Sequence, residues 1–291
     1  MQLKLTLDAA IARLESAGIG SPRLNAEVLL MFTLACDRAY LYAHAERELS
    51  ADEQARYQSA LEERARGKPA QYITGHQEFW GLDFLVSPAV LIPRPETEHV
   101  IETVLELARH GGQARPLERQ PKIVDIGTGS GCIALALAKE LPGSEVVAVD
   151  ISAAALELAR ANAARLQLDQ RVRFVESNLL AGLAPDARFD FVVSNPPYVG
   201  SSAPEKVQRE VRDFEPRVAV FAGESGLEVY RRLIPQAREH LTPGGWLVME
   251  IGFSMEAAVR GLLEGWQEVR VTHDLQGIPR VVAAKTTSSS P

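Results

Sequence analysis

The sequence predicts an α/β protein: a seven-stranded, mostly parallel sheet covered by helices, preceded by a small helical bundle and a β-hairpin connector. From Lys122 onward, short apolar runs alternate with stretches of helical periodicity, a pattern typical of β-α-β units. The first apolar run leads through a glycine-rich loop directly into a helix. Before about residue 75 the periodicity is helical, which predicts a separate bundle ahead of the sheet.

Residues 1–75 are predicted to form this N-terminal helical domain. Apolar residues recur at helical spacing over 7–17, and Ser21-Pro22 offers an N-cap followed by a proline at the first helical position. A third helical segment covers 39–43, and Ser50-Ala51-Asp52-Glu53 has the spacing of a capping box for the fourth helix. The domain holds no acid–base constellation of its own, and substrate recognition is one reason to have such a domain.

Residues 76–110 are predicted to form a β-hairpin and a connector. The stretch 78–86 is aromatic-rich and interrupted by Gly81, as expected of a hairpin. Pro93-Arg94-Pro95 follows as a stiff extended segment, because each proline restricts the backbone on both sides. A helix is predicted to begin at Pro95 and to continue to about Ala108.

The main domain is predicted over residues 111–284, and the low-complexity tail at 285–291 is predicted to be disordered. Its polar first stretch, to about residue 120, is expected to join it to the connector. Strands are predicted at 123–126, 146–150, 172–175, 189–194, 245–251, 268–273 and 280–284, the last two forming a hairpin. Helices are predicted between them at 133–141, 153–166, 226–241 and 255–263.

Composition excludes several classes of protein. A formal net charge of −7 gives no support for nonspecific nucleic-acid binding, although a local basic surface remains compatible with it. The two cysteines, Cys36 and Cys132, lie far apart and outside any C-x-x-C pair, and the histidines show no ligand spacing, so no metal site is predicted. The sequence has no apolar signal core and no run of about 18 apolar residues. We therefore expect a soluble, cytoplasmic protein.

The glycine-rich loop is the first candidate for a ligand site. It reads Asp125-Ile126-Gly127-Thr128-Gly129-Ser130-Gly131, and glycines at these positions let a ligand approach the backbone and the following helix. A dinucleotide site usually shows G-x-G-x-x-G, which would require glycine where this chain has Cys132. The G-x-G-x-G spacing seats no pyrophosphate and leaves room for a ligand with an amino acid tail.

Two further positions at strand ends complete a nucleoside-binding pattern. Asp150 ends the second strand, where a carboxylate can accept both hydroxyls of an adenosine ribose; a solvated strand-end aspartate is the alternative. After the third strand, Asn178 can both donate to and accept from a base edge, and Leu179 can cover the ring. The pattern favours an adenosine-containing ligand.

The fourth strand ends in Asn195-Pro196-Pro197-Tyr198. The prolines remove two backbone donors, so the chain leaves the sheet rigidly with unclaimed carbonyls, and the side chain of Asn195 adds another acceptor. Such an array is suited to holding an –NH2 group by its two hydrogens. By itself the tetrapeptide is equally consistent with an ordinary strand-to-loop exit, since Asn-Pro commonly starts a turn.

Together, the Asp-x-Gly-x-Gly-x-Gly loop, Asp150 and the Asn-Pro-Pro-Tyr motif resemble those of the class I S-adenosylmethionine-dependent methyltransferases, which have a Rossmann-like fold. Within them, four segments resemble the release factor glutamine methyltransferases (the PrmC/HemK family), and nearly the whole chain is covered. These segments are Gln71-Tyr72-Ile73-x-Gly75, Phe79-x-Gly81-x-x-Phe84, Leu91-Ile92-Pro93-Arg94-Pro95-Glu96-Thr97-Glu98 and Pro243-Gly244-Gly245.

The resemblance implies an enzyme that uses S-adenosyl-L-methionine to methylate the glutamine of the Gly-Gly-Gln loop in bacterial peptide chain release factors. It implies a monomer with no membrane partner and no direct nucleic-acid partner. The cofactor-binding residues would be Asp125, Gly127, Thr128, Gly129, Ser130, Gly131, Asp150, Asn178, Leu179 and Asn195. The substrate-binding residues would be Asn195, Pro196, Pro197 and Tyr198.

The catalytic residues of this hypothesis are Asn195, Pro196 and Tyr198. The Asn195 side-chain oxygen and the Pro196 carbonyl would accept the two N–H bonds of the substrate amide, and Tyr198 would pack against the amide plane. Simple packing is an equally good explanation of Tyr198. Ser194 and Glu250 are candidate neighbours with no assigned role.

Two alternatives remain open from the sequence. A methyltransferase acting on an exocyclic base amine of rRNA or DNA would use the same Asn-Pro-Pro-Tyr chemistry, although the net charge of −7 counts against it. A non-catalytic, ribosome-associated cofactor-binding module is an alternative of another class, and the intact motif set counts against that.

Overall fold

A computed structural model describes residues 1–110, 120–201 and 207–287, without the side chain of His110. The chain forms two compact units. One comprises Met1–His76 with Gln208–Phe214, and the other comprises Gln77–Val207 with Glu215–Pro291. Within the described residues, none of the helices has the length and apolar character needed to cross a membrane.

The predicted helices and strands occur in the predicted order, and three short helices that were not predicted are present at Ala70–Thr74, Arg209–Phe214 and Arg217–Val220. Within the described residues the helices are α1 (Leu3–Ser16), α2 (Pro22–Leu34), α3 (Arg38–Ala43), α4 (Ala51–Ala65), α5 (Ala70–Thr74), α6 (Glu98–His110), α7 (Cys132–Glu140), α8 (Ala153–Arg165), α9 (Arg209–Phe214), α10 (Arg217–Val220), α11 (Glu228–His240) and α12 (Glu256–Leu262). The strands are β1 (His76–Phe79), β2 (Leu82–Leu85), β3 (Lys122–Ile126), β4 (Glu145–Asp150), β5 (Val172–Glu176), β6 (Phe189–Ser194), β7 (Leu241–Glu250), β8 (Glu268–His273) and β9 (Pro279–Lys285).

The first unit is a bundle of α1 to α5 around an aliphatic core. Tyr57 is fully buried in it, and its hydroxyl donates to the Ala26 carbonyl at 2.9 Å, which satisfies the one polar group of the ring. The capping box at Ser50 and Glu53 forms as predicted, with both reciprocal hydrogen bonds present. Helix α2 begins at Pro22 as predicted, but Ser21 makes no side-chain capping bond, because its backbone is left-handed (φ 49°).

Helix α9 also belongs to the first unit, although it lies far along the chain. Arg64 on α4 is buried and donates to Glu210 on α9. Its other donors reach the Asn25 side-chain oxygen at 2.7 Å and the Lys68 carbonyl at 3.1 Å. A buried guanidinium needs such partners for its N–H groups, so Arg64 fastens α9 to the bundle.

The second unit is built on a seven-stranded sheet of order β5-β4-β3-β6-β7-β9-β8. All neighbours are parallel except β9, which is antiparallel to both β7 and β8. Ile123 and Val124 contribute to separate hydrophobic clusters because successive residues of a strand face opposite sides of the sheet. Both faces are covered, and the predicted α/β class with a seven-stranded sheet is confirmed.

The sheet order also locates a crevice. From β3 the chain moves outward through β4 and β5, and then returns to place β6 on the other side of β3. Connections from β3 and β6 therefore leave in opposite directions at their carboxyl ends. In open α/β sheets, ligands bind at this topological switch point.

The predicted hairpin is confirmed as the two-stranded sheet of β1 and β2. Its turn places Trp80 (φ 55°) and Gly81 (φ 65°) in the left-handed region, as tight hairpin turns require. Phe79 and Phe84 are buried and meet edge to face, with ring centroids 6.2 Å apart. The hairpin is thereby anchored in the core of the second unit.

Several predicted boundaries were wrong. Lys285 was assigned to a disordered tail, yet it pairs with Trp246 at the end of β9, and the Thr286 hydroxyl donates to the Thr242 carbonyl at 3.0 Å. Strand pairing overrode the low-complexity composition there. After Pro95 the chain first makes a single 3-10 turn (Pro95–Thr97) before α6. The polar stretch 111–119 and the tail at 288–291 lie outside the described residues.

Candidate active site

A cavity opens at the carboxyl ends of β3, β4 and β6, where the switch point places it. Its lining includes nine of the residues predicted for the site, which are Gly127, Thr128, Gly129, Ser130, Asp150, Asn178, Leu179, Asn195 and Pro197. The remaining four, Asp125, Gly131, Pro196 and Tyr198, lie outside that lining. The sheet edge thus brings the glycine loop and the Asn-Pro-Pro-Tyr motif to one site, although they are more than sixty residues apart in sequence.

Asp125 lies beneath the loop and organises it. Its side chain is fully buried, and one carboxylate oxygen accepts from the Thr128 hydroxyl at 2.7 Å and from the Ala134 amide at 3.2 Å. The other oxygen has no hydrogen-bond partner within the described residues. Burial raises the pKa of Asp125 to about 7, because a charge is poorly solvated there.

Asp150 connects the loop to the neighbouring strand. One of its carboxylate oxygens accepts from the Gly129 amide and the other from the Ser152 amide, both at 2.9 Å. A carboxylate has about four lone-pair sites, so each oxygen retains acceptor capacity for a ligand. Asp150 is therefore held rigidly at the cavity rim, where it can receive hydroxyl donors.

Gly131 closes the loop against α8. Its φ of 84° is in the left-handed region, and a Cβ there would lie 3.1 Å from a Leu135 methyl and 3.3 Å from the Ala159 Cβ. This glycine allows helix and loop to pack closely. Like Asp125, it supports the cavity wall without lining it.

The loop after β5 provides another wall of the cavity. Asn178 accepts from the Arg232 guanidinium at 2.7 Å, and both residues line the cavity. Leu179 adopts a φ of 55°, and the next amide, of Leu180, donates to the Gln236 side chain at 3.1 Å. The contact with Arg232 on α11 was not predicted, because 54 residues separate it from Asn178.

Asn195 is held by a chain of buried polar groups. Its side-chain nitrogen donates to the Thr97 hydroxyl at 2.9 Å. That hydroxyl donates in turn to a carboxylate oxygen of Glu250 at 2.6 Å. Thr97 and Glu250 are 2% and 3% exposed, so these two members of the chain are shielded from solvent. The oxygen of the Asn195 amide is left as the end that can accept from a ligand.

The rest of the motif packs around Asn195. Pro196 is buried and Pro197 lines the cavity. The Tyr198 ring lies against the backbone of Gly252, where an added Cβ would lie 2.7 Å from a ring carbon, and its hydroxyl is 3.4 Å from a Glu250 oxygen. Burial raises the pKa of Tyr198, which keeps its phenol protonated.

Two further segments line the cavity, and neither was predicted to be part of the site. Arg94 forms an ion pair with Glu215, and a Glu215 oxygen also accepts from the Ile92 amide at 3.2 Å. Pro216, Val218 and Ala219 then line the cavity beside Pro93 and Arg94. Among the described residues no group of three or more His, Cys, Asp and Glu side chains is arranged to hold a metal ion.

Family comparisons cover most of the chain. A family model described as the PrmC N-terminal domain matches residues 6–75, and one described as a methyltransferase small domain matches residues 113–212. The release factor glutamine methyltransferase of Koribacter versatilis is 57% identical over 289 residues, which is 99% of this chain and 100% of that protein. The chain belongs to the release factor glutamine methyltransferase family.

Other members of the release factor glutamine methyltransferase family match at similar coverage. The enzyme of Geobacter sulfurreducens is 41% identical over 97% of this chain and 96% of its own. That of Moorella thermoacetica is 45% identical over 90% of this chain and 89% of its own. The family resemblance carried by the sequence motifs is thereby confirmed.

Solved structures share the fold of this family member at low sequence identity. The hMettl16 catalytic domain in complex with a MAT2A 3′UTR hairpin aligns with a TM-score of 0.56 and 20% identity, covering 82% of each chain. The T. Thermophilus 16S rRNA methyltransferase RsmC, in complex with AdoMet and guanosine, gives a TM-score of 0.52 and 20% identity, covering 72% of this chain and 49% of its own. At this identity the likeness concerns the fold alone.

Proposed function

We propose that this protein transfers a methyl group from S-adenosyl-L-methionine to the side-chain amide nitrogen of a glutamine in bacterial peptide chain release factors. The glutamine would be that of the Gly-Gly-Gln motif. The observation that carries the proposal is the match at 57% identity, over 99% of this chain, to a release factor glutamine methyltransferase. Because release factors act on ribosomes, the proposed site of action is the cytoplasm.

The cavity fits the cofactor chemically. The rigid carboxylate of Asp150 offers acceptors to ribose hydroxyls, and the backbone of residues 127–130 offers close approach for an amino acid tail. Asn178, with Leu179 beside it, would contact the base. Arg232 is added to this set because it holds the Asn178 oxygen and lines the cavity. When bound, the cofactor supplies an electrophilic methyl group on a sulfonium.

Residues of the Asn-Pro-Pro-Tyr motif would position the substrate amide nitrogen, which is a weak nucleophile. An amide nitrogen is a poor nucleophile because its lone pair is delocalised, so its placement in line with the methyl group is the main source of acceleration. The Asn195 side-chain oxygen and the Pro196 carbonyl would accept its two N–H bonds. As the bond from nitrogen to the methyl carbon formed and the sulfur–methyl bond broke, the nitrogen would gain positive charge, which both acceptors would stabilise. One of its two N–H protons would then be lost to solvent, leaving a neutral N-methyl amide and a thioether.

The first unit has no catalytic part in this proposal. Residues 6–75 match the PrmC N-terminal domain, and we assign to them the recognition of the protein substrate. The proposed domain division is 1–75 for recognition, 76–110 for the hairpin and connector, and 111–284 for methyl transfer. We also propose a monomer without a nucleic-acid partner, consistent with a net charge of −7. Sedimentation would test the oligomeric state.

A transfer assay tests the proposed function. The protein is incubated with methyl-labelled S-adenosyl-L-methionine and with either intact release factor, release factor lacking the motif glutamine, rRNA or DNA. Label on the intact release factor alone is the expected result. Label on nucleic acid would replace the proposal with a base-amine methyltransferase, and label on no substrate would favour a non-catalytic module.

A further inference from the structure

The hydrogen-bonded chain of Asn195, Thr97 and Glu250 has a defined polarity. Glu250 as a carboxylate can only accept hydrogen bonds, so the Thr97 hydroxyl must direct its single proton toward it. The lone pairs of that hydroxyl then face the Asn195 amide, which lies 2.9 Å away. An amide end facing lone pairs must be its NH2 end, because its oxygen would face another acceptor.

The consequence reaches the cavity. With NH2 turned to Thr97, the Asn195 oxygen is the end presented to a ligand, and it is the end that can accept an N–H bond. If the amide were reversed, it would present N–H donors to the N–H donors of a substrate amide. One buried carboxylate, two hydrogen bonds away, thus decides which chemistry Asn195 offers.

We propose that Thr97 and Glu250 are positioning residues for methyl transfer: ionised Glu250 directs the Thr97 hydroxyl, and Thr97 holds Asn195 with its oxygen toward the substrate amide. This inference rests on the proposed function. It adds to the Asn-Pro-Pro-Tyr motif, which follows β6, two residues from other elements. Thr97 lies in the turn before α6, and Glu250 lies at the end of β7. Thr97 lines the cavity and Glu250 does not, and we assign neither a contact with the reacting atoms.

The surroundings of Glu250 hold it in place and control its charge. Its backbone carbonyl accepts from the Tyr230 hydroxyl at 2.8 Å, and its side chain faces the Tyr198 hydroxyl at 3.4 Å. Burial raises the pKa of Glu250 to about 7, the Thr97 hydrogen bond opposes this shift, and the charge of Glu96 adds to it. Arg280, which pairs with Glu96, acts in the opposite direction.

Protonation of Glu250 would remove the constraint on the direction of the hydrogen bonds from Asn195 through Thr97 to Glu250. A neutral carboxyl group can donate as well as accept, so it no longer obliges the Thr97 hydroxyl to donate. Asn195 then loses its enforced orientation, and productive placement of the substrate becomes less frequent. Methyl transfer is therefore expected to fall as pH decreases through the region of about 7.

The experiment compares three substitutions in the full-length enzyme. Thr97→Val removes the hydroxyl at nearly constant volume, Thr97→Ser keeps it, and Glu250→Gln keeps the shape but not the charge. The rate of release-factor methylation is measured at saturating cofactor from about pH 5 to about pH 9. Cofactor affinity is measured by calorimetry for each variant, and serves also as the test of folding.

We expect Thr97→Val and Glu250→Gln to lower the rate roughly ten- to a hundredfold, as outer supporting residues commonly do. In both variants the methylation rate should no longer fall as pH decreases through the neutral region. Thr97→Ser should retain most of the rate that Thr97→Val loses. In an Asn195→Ala background, Thr97→Val should add no further loss, because both changes act through the same amide. A merely structural role would give additive losses and an unchanged pH profile.

Two outcomes separate this inference from the proposed function. If wild-type protein does not methylate the release factor, the proposed function fails. If wild-type protein is active and Glu250→Gln retains its rate and pH profile, the positioning role is refuted while the function stands. Glu250→Gln decides the question alone should Thr97→Val fail to fold.

Discussion

At the scale of single residues, two polar side chains of the site have separate tasks. Asn195 presents an acceptor at the cavity, whereas Asp125 is buried beneath the glycine loop and holds it from below. The two side chains differ in their access to solvent and ligand, because Asn195 lines the cavity and Asp125 does not. Asp125 exchanges water for only two donors, so its charged form is disfavoured, and its contribution is to loop structure.

The first prediction concerns Asn195. We expect Asn195→Ala to lower the rate of methyl transfer by about 100- to 1,000-fold, the usual consequence of removing one preorganised partner of the developing charge. Cofactor affinity should fall much less than the rate, because Asp150 and the glycine loop, which supply most of the proposed cofactor contacts, are unaltered. Single-turnover kinetics and calorimetry measure the two quantities. Undiminished turnover with bound cofactor would refute the catalytic assignment.

The second prediction concerns the pH dependence of stability at Asp125. Its pKa is about 7 in the folded protein and about 4 in an unfolded chain. Between these values the folded state keeps a proton that the unfolded state has released, so the free energy of unfolding decreases as pH rises. Above about pH 7 the destabilisation is complete and no longer changes with pH.

Asp125→Asn cannot titrate, so we expect its stability relative to wild type to increase from about pH 4 to about pH 7 and then to level off. Urea unfolding at a series of pH values measures this difference. Asp186→Asn, the same change at an exposed position, is the matched control. A constant difference across the series would contradict the raised pKa.

At the scale of elements, the contact of loop and helix at Gly131 holds the cavity wall together. The third prediction is that Gly131→Ala destabilises the protein by about 2–4 kcal/mol, from the left-handed backbone and from overpacking. It should also weaken cofactor binding, because the loop and α8 must separate. Thermal unfolding and calorimetry provide the measurements.

Gly277→Ala is the matched control for this prediction. Its φ of 76° is close to the 84° of Gly131, but no atom lies within 4 Å of an added Cβ. It should therefore incur only the backbone cost, about 1–2 kcal/mol, and leave cofactor affinity unchanged. Equal effects of both substitutions would mean that the close packing at Leu135 and Ala159 contributes nothing.

At the scale of the whole molecule, the chain crosses between its two units more than once. After the Asn-Pro-Pro-Tyr motif it contributes α9 to the first unit, then returns at Glu215 to the wall of the cavity. Arg64 is the buried group that fastens α9. Helix α9, which follows the Asn-Pro-Pro-Tyr motif in the chain, is thus fastened to the unit to which we assign substrate recognition.

The fourth prediction tests this attachment. Arg64→Met should destabilise the first unit by about 2–3 kcal/mol, because three hydrogen-bond acceptors lose their partner. It should also make the segment 208–214 more susceptible to limited proteolysis. Arg66→Met, a change at an exposed neighbour on the same helix end, is the control. Equal cleavage of both variants would show that α9 is held by other contacts.

Local sequence patterns determined much of this protein. Alternation of apolar runs gave the sheet and its helices, the capping-box spacing located α4, and Gly81 located the hairpin turn, because each pattern expresses the conformational preference of a few adjacent residues. The glycine loop, Asp150 and Asn195 were likewise recognisable, since each follows a strand and parallel strands deliver their carboxyl ends to one edge.

Only the tertiary structure decided which distant side chains meet. Thr97 lies 98 residues before Asn195, and Arg232 lies 54 residues after Asn178, so no local periodicity connects either pair. Lys285 is paired in β9, although the composition of its segment predicts a disordered tail. The burial of Asp125 beneath the glycine loop is likewise visible only in the folded structure. The sequence by itself determined the elements, the loop and the motif; the folded sheet determined the polarity of Asn195, because that depends on a carboxylate brought from another strand.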